Sequence, residues 1–187
     1  MSALPSRGIF ISYRRADTGP YARLLQVELS ERFPEAPVFM DLDSIEAGLD
    51  FAEIIRDAVN SCHVMVVLIG PRWATLADED GRRRLDDPDD YVRFEIRAAL
   101  KRGVRAIPVL VDRAKPVRHQ QLPHDLRKLA RLNALEMSYD RYRYDVARLF
   151  GIISRALAAE AGSAAAAISP GGARSLADRA AGDGPVV

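Results

Sequence analysis

Short apolar runs alternate with longer stretches of helical period from Gly8 to about Leu157, a rhythm that predicts crossover units on a parallel sheet. Strands are expected at 9–13, 38–40, 63–69, 105–111 and 132–137. The third is apolar on both faces and is expected at the centre, because a parallel strand covered on both sides shows no polar alternation. Pro108 cannot donate to a ladder, which places the fourth strand nearer one edge. The helix after the first strand is expected to start near Asp17 or Thr18, with Pro20 in its first turn and Tyr21, Leu24, Leu25 and Leu29 on its apolar face. The next opens with Asp50 and Glu53, an aspartate form of the capping box, followed by Phe51, Ile54, Ile55, Ala58 and Val59. A third, over 90–100, carries Val92, Ile96, Ala99 and Leu100 on one side and keeps Arg93 and Arg97 outside it.

Composition bounds this picture without changing it. The 187 residues, 48% hydrophobic and 28% charged, suit one globular core with a tail. Residues 1–7 read as an N-terminal extension and 8–157 as the folded domain. Residues 158–187, rich in Ala, Gly, Ser and Asp with Pro170 and Pro185, read as a flexible tail or linker. Lys and Arg number 27 against 26 for Asp and Glu, a net charge of +1, so no global field draws the chain to nucleic acid or to anionic lipid. The single cysteine, Cys62, can form no internal disulfide, and Pro5 and Arg7 interrupt the first residues where a secretion signal would be apolar. The apolar run at 64–69 is far shorter than the roughly 20 residues that span a bilayer. A cytoplasmic location is therefore expected.

Chemistry on an open parallel sheet gathers at the carboxyl ends of its strands. Those ends hold Ser12, Tyr13, Arg14 and Arg15 after the first strand, the acidic stretch 41–50 after the second, and Gly70, Pro71, Arg72 and Trp73 after the third. None of these is a glycine-rich phosphate loop. The two arginines either meet phosphates or are solvated, and Trp73 occupies a position that commonly serves packing. Asp41 and Asp43 in a turn either bind a cation or bond their own backbone. His63, His119 and His124 are not spaced as a ligand set, so no metal site is expected, and Cys62 has no neighbour to activate it. Glu95 falls at the border of the third helix's apolar stripe, with Tyr91 one turn before it on the same face. Either the two line one cavity, where an aromatic ring beside a carboxylate suits a flat cationic heterocycle, or Glu95 is a boundary residue paired with an arginine.

The segment Gly8-Ile9-Phe10-Ile11-Ser12-Tyr13 resembles the first box of Toll/interleukin-1 receptor (TIR) domains, and Asp43-Ser44-Ile45-Glu46-Ala47-Gly48 resembles their second-strand loop. Tyr91-Val92-Arg93-Phe94-Glu95-Ile96 is similar to the aromatic-x-x-x-Glu signature of the NAD-consuming members, with tyrosine where those enzymes usually carry tryptophan. The resemblance covers about 8–157. It implies a flavodoxin-like α/β sandwich of three layers, with a five-stranded parallel sheet of order 2-1-3-4-5. It further implies an NAD+ glycohydrolase of bacterial type, active in immune signalling, that releases nicotinamide and ADP-ribose or a cyclic variant. Glu95 is then the catalytic residue. Tyr91, Ser12, Arg14, Asp43, Ile45 and Trp73 are the candidate substrate contacts. NAD+ is substrate and no further cofactor is expected. The implied partners are other TIR domains, joined as a homo-oligomer when active. The alternative is a TIR scaffold without enzymatic activity. A phosphoacceptor receiver domain, which shares the topology, needs acidic residues after its first strand and a lysine after its fifth; Ser12 to Arg15 and Ser138 to Asp140 supply neither.

Overall fold

A computed structural model describes residues 8–40 and 51–168. Five parallel strands form one sheet: β1 (Gly8–Ser12), β2 (Val38–Phe39), β3 (Cys62–Ile69), β4 (Arg105–Leu110) and β5 (Leu135–Glu136), in the order β2-β1-β3-β4-β5. Helices α1 (Arg15–Arg32), α2 (Phe51–Asn60), α3 (Tyr91–Arg102) and α4 (Tyr142–Ile168) connect or follow them. The expected fold class and strand order hold.

Strand period divides the core into two layers. Ile9 and Ile11 of β1, Val64, Val66 and Leu68 of β3, and Ile107 and Val109 of β4 face α1 and α4, meeting Leu25, Leu29, Leu149 and Ile153. The alternate residues Phe10, Met65, Val67, Ile69 and Leu110 face α2 and α3, meeting Ile55, Val59, Ile96 and Ala99. Both faces of β3 are therefore buried, which is why its sequence lacks alternation.

Pro108 fits β4 for a reason visible in the ladder. The Val111 N–H donates to Ile69 O on β3, and Leu110 O accepts from Met137 N on the β5 side. Backbone groups alternate sides along a strand, so the missing donor of Pro108 faces β5. That edge strand pairs only from Val109 onward, and no ladder bond is lost.

α1 breaks at Thr18 (φ −130°, ψ 15°), so a short turn over 15–17 precedes the helix proper, and Pro20 sits in a first turn where no N–H is needed. Its buried face is Ala22, Leu25 and Leu29; Leu24, expected on that face, is instead 46% exposed. The expected cap at Asp50 and Glu53 and the residues Asp43 and Ile45 are not covered structurally: 41–50, and the side chains of 51–54, lie outside the described residues. α4 runs on through Ile168, past the boundary that composition suggested at 157. The alanine-rich stretch offers little to bury, yet alanine has the highest helix propensity and extends an existing helix readily.

Cys62 is buried at the start of β3, and that burial pushes its thiol up to about 12. Alkylating reagents at pH 8 are therefore expected to label it at the rate of unfolding, orders of magnitude below a free thiol. Mass spectrometry with and without denaturant measures the difference, and rapid labelling of the native protein would overturn the assignment.

Candidate active site

The crossover from β3 to β4 sends α3 back along the sheet, so its first turns lie level with the carboxyl ends of the strands. Asp90 caps that helix, its Oδ1 accepting from Arg93 N at 2.9 Å, and Gly103 closes it in the left-handed conformation at φ 75°. The docked face is Val92, Ile96, Ala99 and Leu100, as the periodicity predicts, with Glu95 buried among them. Arg93 and Arg97 turn away from the sheet to Asp125, at 3.1 and 3.8 Å.

The carboxylate of Glu95 thus points inward. It is 8% exposed, and Ser12 Oγ donates to its Oε2 at 2.7 Å. Ser12 is the last residue of β1 and is itself fully buried. Tyr91, one helical turn earlier on the same side as Glu95, is 52% exposed. A buried carboxylate and an exposed aromatic ring therefore lie on one stripe of α3, at the end of the sheet where such folds bind ligands.

Three of the expected substrate contacts are engaged within the protein. Arg14 is 4% exposed, and its guanidinium grips Asp90 in a bidentate pair, Nη1 to Oδ2 and Nη2 to Oδ1, both at 3.0 Å. A phosphate would have to displace that carboxylate, so the Arg14 guanidinium is already engaged within the protein. Trp73 has no exposed surface; it packs with Leu85, Val92 and Ile96, and the Arg14 guanidinium carbon lies 5.9 Å from its ring centroid. Ser12, the third of these candidate substrate contacts, directs its hydroxyl to Glu95.

Asp90 is the residue that sequence reasoning overlooked. Its place directly before a periodic helix marks it as a cap, but nothing local points to Arg14, 76 positions away.

Around the neighbouring strand end, the side chain of Asp17 is almost fully buried and its Oδ1 accepts from Arg72 N at 3.1 Å. Gly70 lies against it: a Cβ there would stand 2.5 Å from Asp17 Oδ2 and 2.7 Å from Thr18 Cγ2. Gly70→Ala is expected to cost about 1–3 kcal/mol through overpacking. Chemical denaturation measures this, and an unchanged midpoint would show that the 15–18 turn yields freely.

Among the described residues no group of three or more His, Cys, Asp or Glu side chains is placed to hold a metal ion. No described helix is long and apolar enough to cross a membrane.

Solved structures with this arrangement include the TIR domains of the activated Roq1 resistosome that recognises the pathogen effector XopQ, at a TM-score of 0.56 and 17% identity over 80% of this chain and 98% of that one. The TIR-STING receptor from C. gigas in complex with 2',3'-cGAMP matches at 0.51 and 19% identity, over 84% of this chain and 41% of that one. At those identities the likeness establishes the fold. In sequence, the chain is 29% identical over 132 residues to the NAD(+) hydrolase sarm1 of Drosophila melanogaster, covering 71% of this chain and 9% of that protein. It is 26% identical over 133 residues to the NAD(+) hydrolase tir-1 of Caenorhabditis elegans, covering 71% and 13%. The chain therefore spans about a tenth of the length of these curated relatives. The TIR-domain family model matches residues 9–149, three quarters of the sequence, and on that match and the sheet order the chain belongs to the TIR domain family.

Proposed function

We propose that this chain hydrolyses the nicotinamide–ribose bond of NAD+, with Glu95 as its catalytic residue. The observation that carries the reading is the inward carboxylate of Glu95, held by Ser12 at the carboxyl end of β1. The two relatives named NAD(+) hydrolases support it.

The chemistry explains why one carboxylate suffices. Ordinary glycosidases pair two, because an alkoxide leaving group must be protonated. In NAD+ the glycosidic nitrogen is already cationic, so when the bond between it and the ribose carbon breaks, both electrons go to the ring and nicotinamide departs neutral. Positive charge develops on the sugar. The fixed carboxylate of Glu95 stabilises it in a site where water is largely excluded, an electrostatic contribution prepared before the reaction starts. Water then adds to the ribose carbon and releases one proton to solvent, giving ADP-ribose; capture by a nucleophile within the substrate gives a cyclic product. Tyr91, exposed on the same stripe, stacks on a flat ring of the substrate in this reading. Asp43 and Ile45, from the segment between β2 and α2, are proposed as further substrate contacts, in bacterial immune signalling where recruitment assembles copies of the domain.

Ser12 is a positioning residue here. Ser12→Ala removes one hydrogen bond to a charged group, about 1.5–3 kcal/mol, and is expected to lower kcat about 10-fold or more with KM little changed. Equal effects on both constants would place Ser12 against the substrate instead.

The test is incubation of concentrated protein with NAD+, chromatographic separation of the products, and a dilution series. Release of nicotinamide that rises more steeply than protein concentration supports both hydrolysis and assembly. Self-association without any nicotinamide release, at every concentration, would make the chain a scaffold.

A further inference from the structure

Glu95 has a second fastening upstream on the same helix, built from residues that take no part in the chemistry above. Asp90 caps α3 through Oδ1, and the same carboxylate receives both Nη atoms of Arg14 at 3.0 Å. The two side chains are 3% and 6% exposed. Arg14 follows Ser12 by two positions on the chain, and Glu95 follows Asp90 by five. One strand end therefore holds one helix at two points, about 7.5 Å apart along the helix axis at 1.5 Å per residue. The apolar packing of α3 is non-directional, and the two polar contacts add fixed points for its rotation and its advance.

Stability alone does not explain such a pair. Taking two charges out of water costs several kcal/mol per ion, and apolar residues of similar volume hold a core as well or better. What a bidentate guanidinium–carboxylate pair adds is direction, since the planar fork accepts its partner in one orientation. Trp73, fully buried under the guanidinium, limits where that fork can lie.

We infer that the Arg14–Asp90 pair positions the site: it sets where α3 begins relative to β1, and so where the Glu95 carboxylate stands against the sugar, without touching substrate. This rests on the hydrolase reading of Glu95.

Asp90→Asn is the informative variant, because asparagine caps a helix as well as aspartate does while the ion pair is lost. Displacement of a reacting group by about 1 Å can cost on the order of 100-fold. The expected result is a fall in kcat of about 10- to 100-fold, with KM within about 3-fold of the parent. The double variant R14Q/D90N separates position from stability. It removes the buried charge and leaves an amide pair, so the melting temperature is expected to recover while kcat stays at least about 10-fold low. Should the single variant fail to fold, the double variant carries the comparison. A third readout needs no turnover: in protein labelled with 13C at the glutamate carboxyls, the Glu95 resonance, assigned through Glu95→Gln, is expected to move in both variants. If kcat recovers together with the melting temperature, or the resonance stays where the parent has it, the pair is structural and the inference falls. If the parent itself releases no nicotinamide, the hydrolase reading fails, and the resonance alone then decides whether the pair places Glu95.

Discussion

Glu95→Gln is expected to lower NAD+ hydrolysis by at least about 100-fold, roughly 3 kcal/mol of transition-state stabilisation. The amide keeps the volume of the side chain, and its carbonyl can still accept the hydrogen bond that Ser12 donates to Oε2. What it lacks is the charge. The folded state should tolerate the change, because a buried neutral amide is less costly to desolvate than a buried carboxylate. The variant should therefore unfold at or slightly above the parent's temperature while chromatography finds almost no nicotinamide. A variant that turns over NAD+ at the parent rate would remove Glu95 from the mechanism, and the family and fold would be untouched.

Trp73→Ala should give the largest loss of stability, about 3–5 kcal/mol, the range for deleting a buried aromatic side chain. The indole has no exposed surface and packs in the layer beneath α2 and α3 with Leu85, Val92 and Ile96. A domain of this size is stable by only about 5–15 kcal/mol, so the substitution consumes a large share. It also removes the ring under Arg14, leaving the Arg14–Asp90 pair beside a cavity. Urea denaturation measures the effect as a lower midpoint at similar slope. A loss below about 1 kcal/mol would mean that the surrounding layer collapses into the space, contrary to the close packing expected of an interior. Trp73→Phe, which restores an aromatic ring of smaller size, should recover about half of the loss.

The carboxylate and the arginine illustrate different limits of sequence reading. The apolar stripe of α3 was legible because helical period is a local property: Val92, Ile96, Ala99 and Leu100 face the sheet as their spacing requires. Glu95 lies at the edge of that stripe, where a small rotation of the docked helix carries a side chain from solvent to interior, and spacing leaves that rotation open. Arg14 was visible at a strand end, but a guanidinium serves a phosphate or a carboxylate equally well. The choice was made by Asp90, which reaches it only once β1 and α3 are packed. Trp73 shows the converse. Its position is one that commonly serves packing while the family resemblance offers it as a substrate contact, and its burial places it in the core.

The sequence alone determined the alternation of strands and helices, the central place of β3 and the stripes that face the sheet. Each of these follows from periodicity within a few residues of chain, where the backbone geometry repeats. The tertiary structure alone decided that Pro108 faces the short edge strand, that Arg14 belongs to Asp90, and that Glu95 turns inward to Ser12. The last two join groups 76 and 83 positions apart. Their geometry is set by how a helix settles on a twisted sheet, and no local pattern encodes that angle.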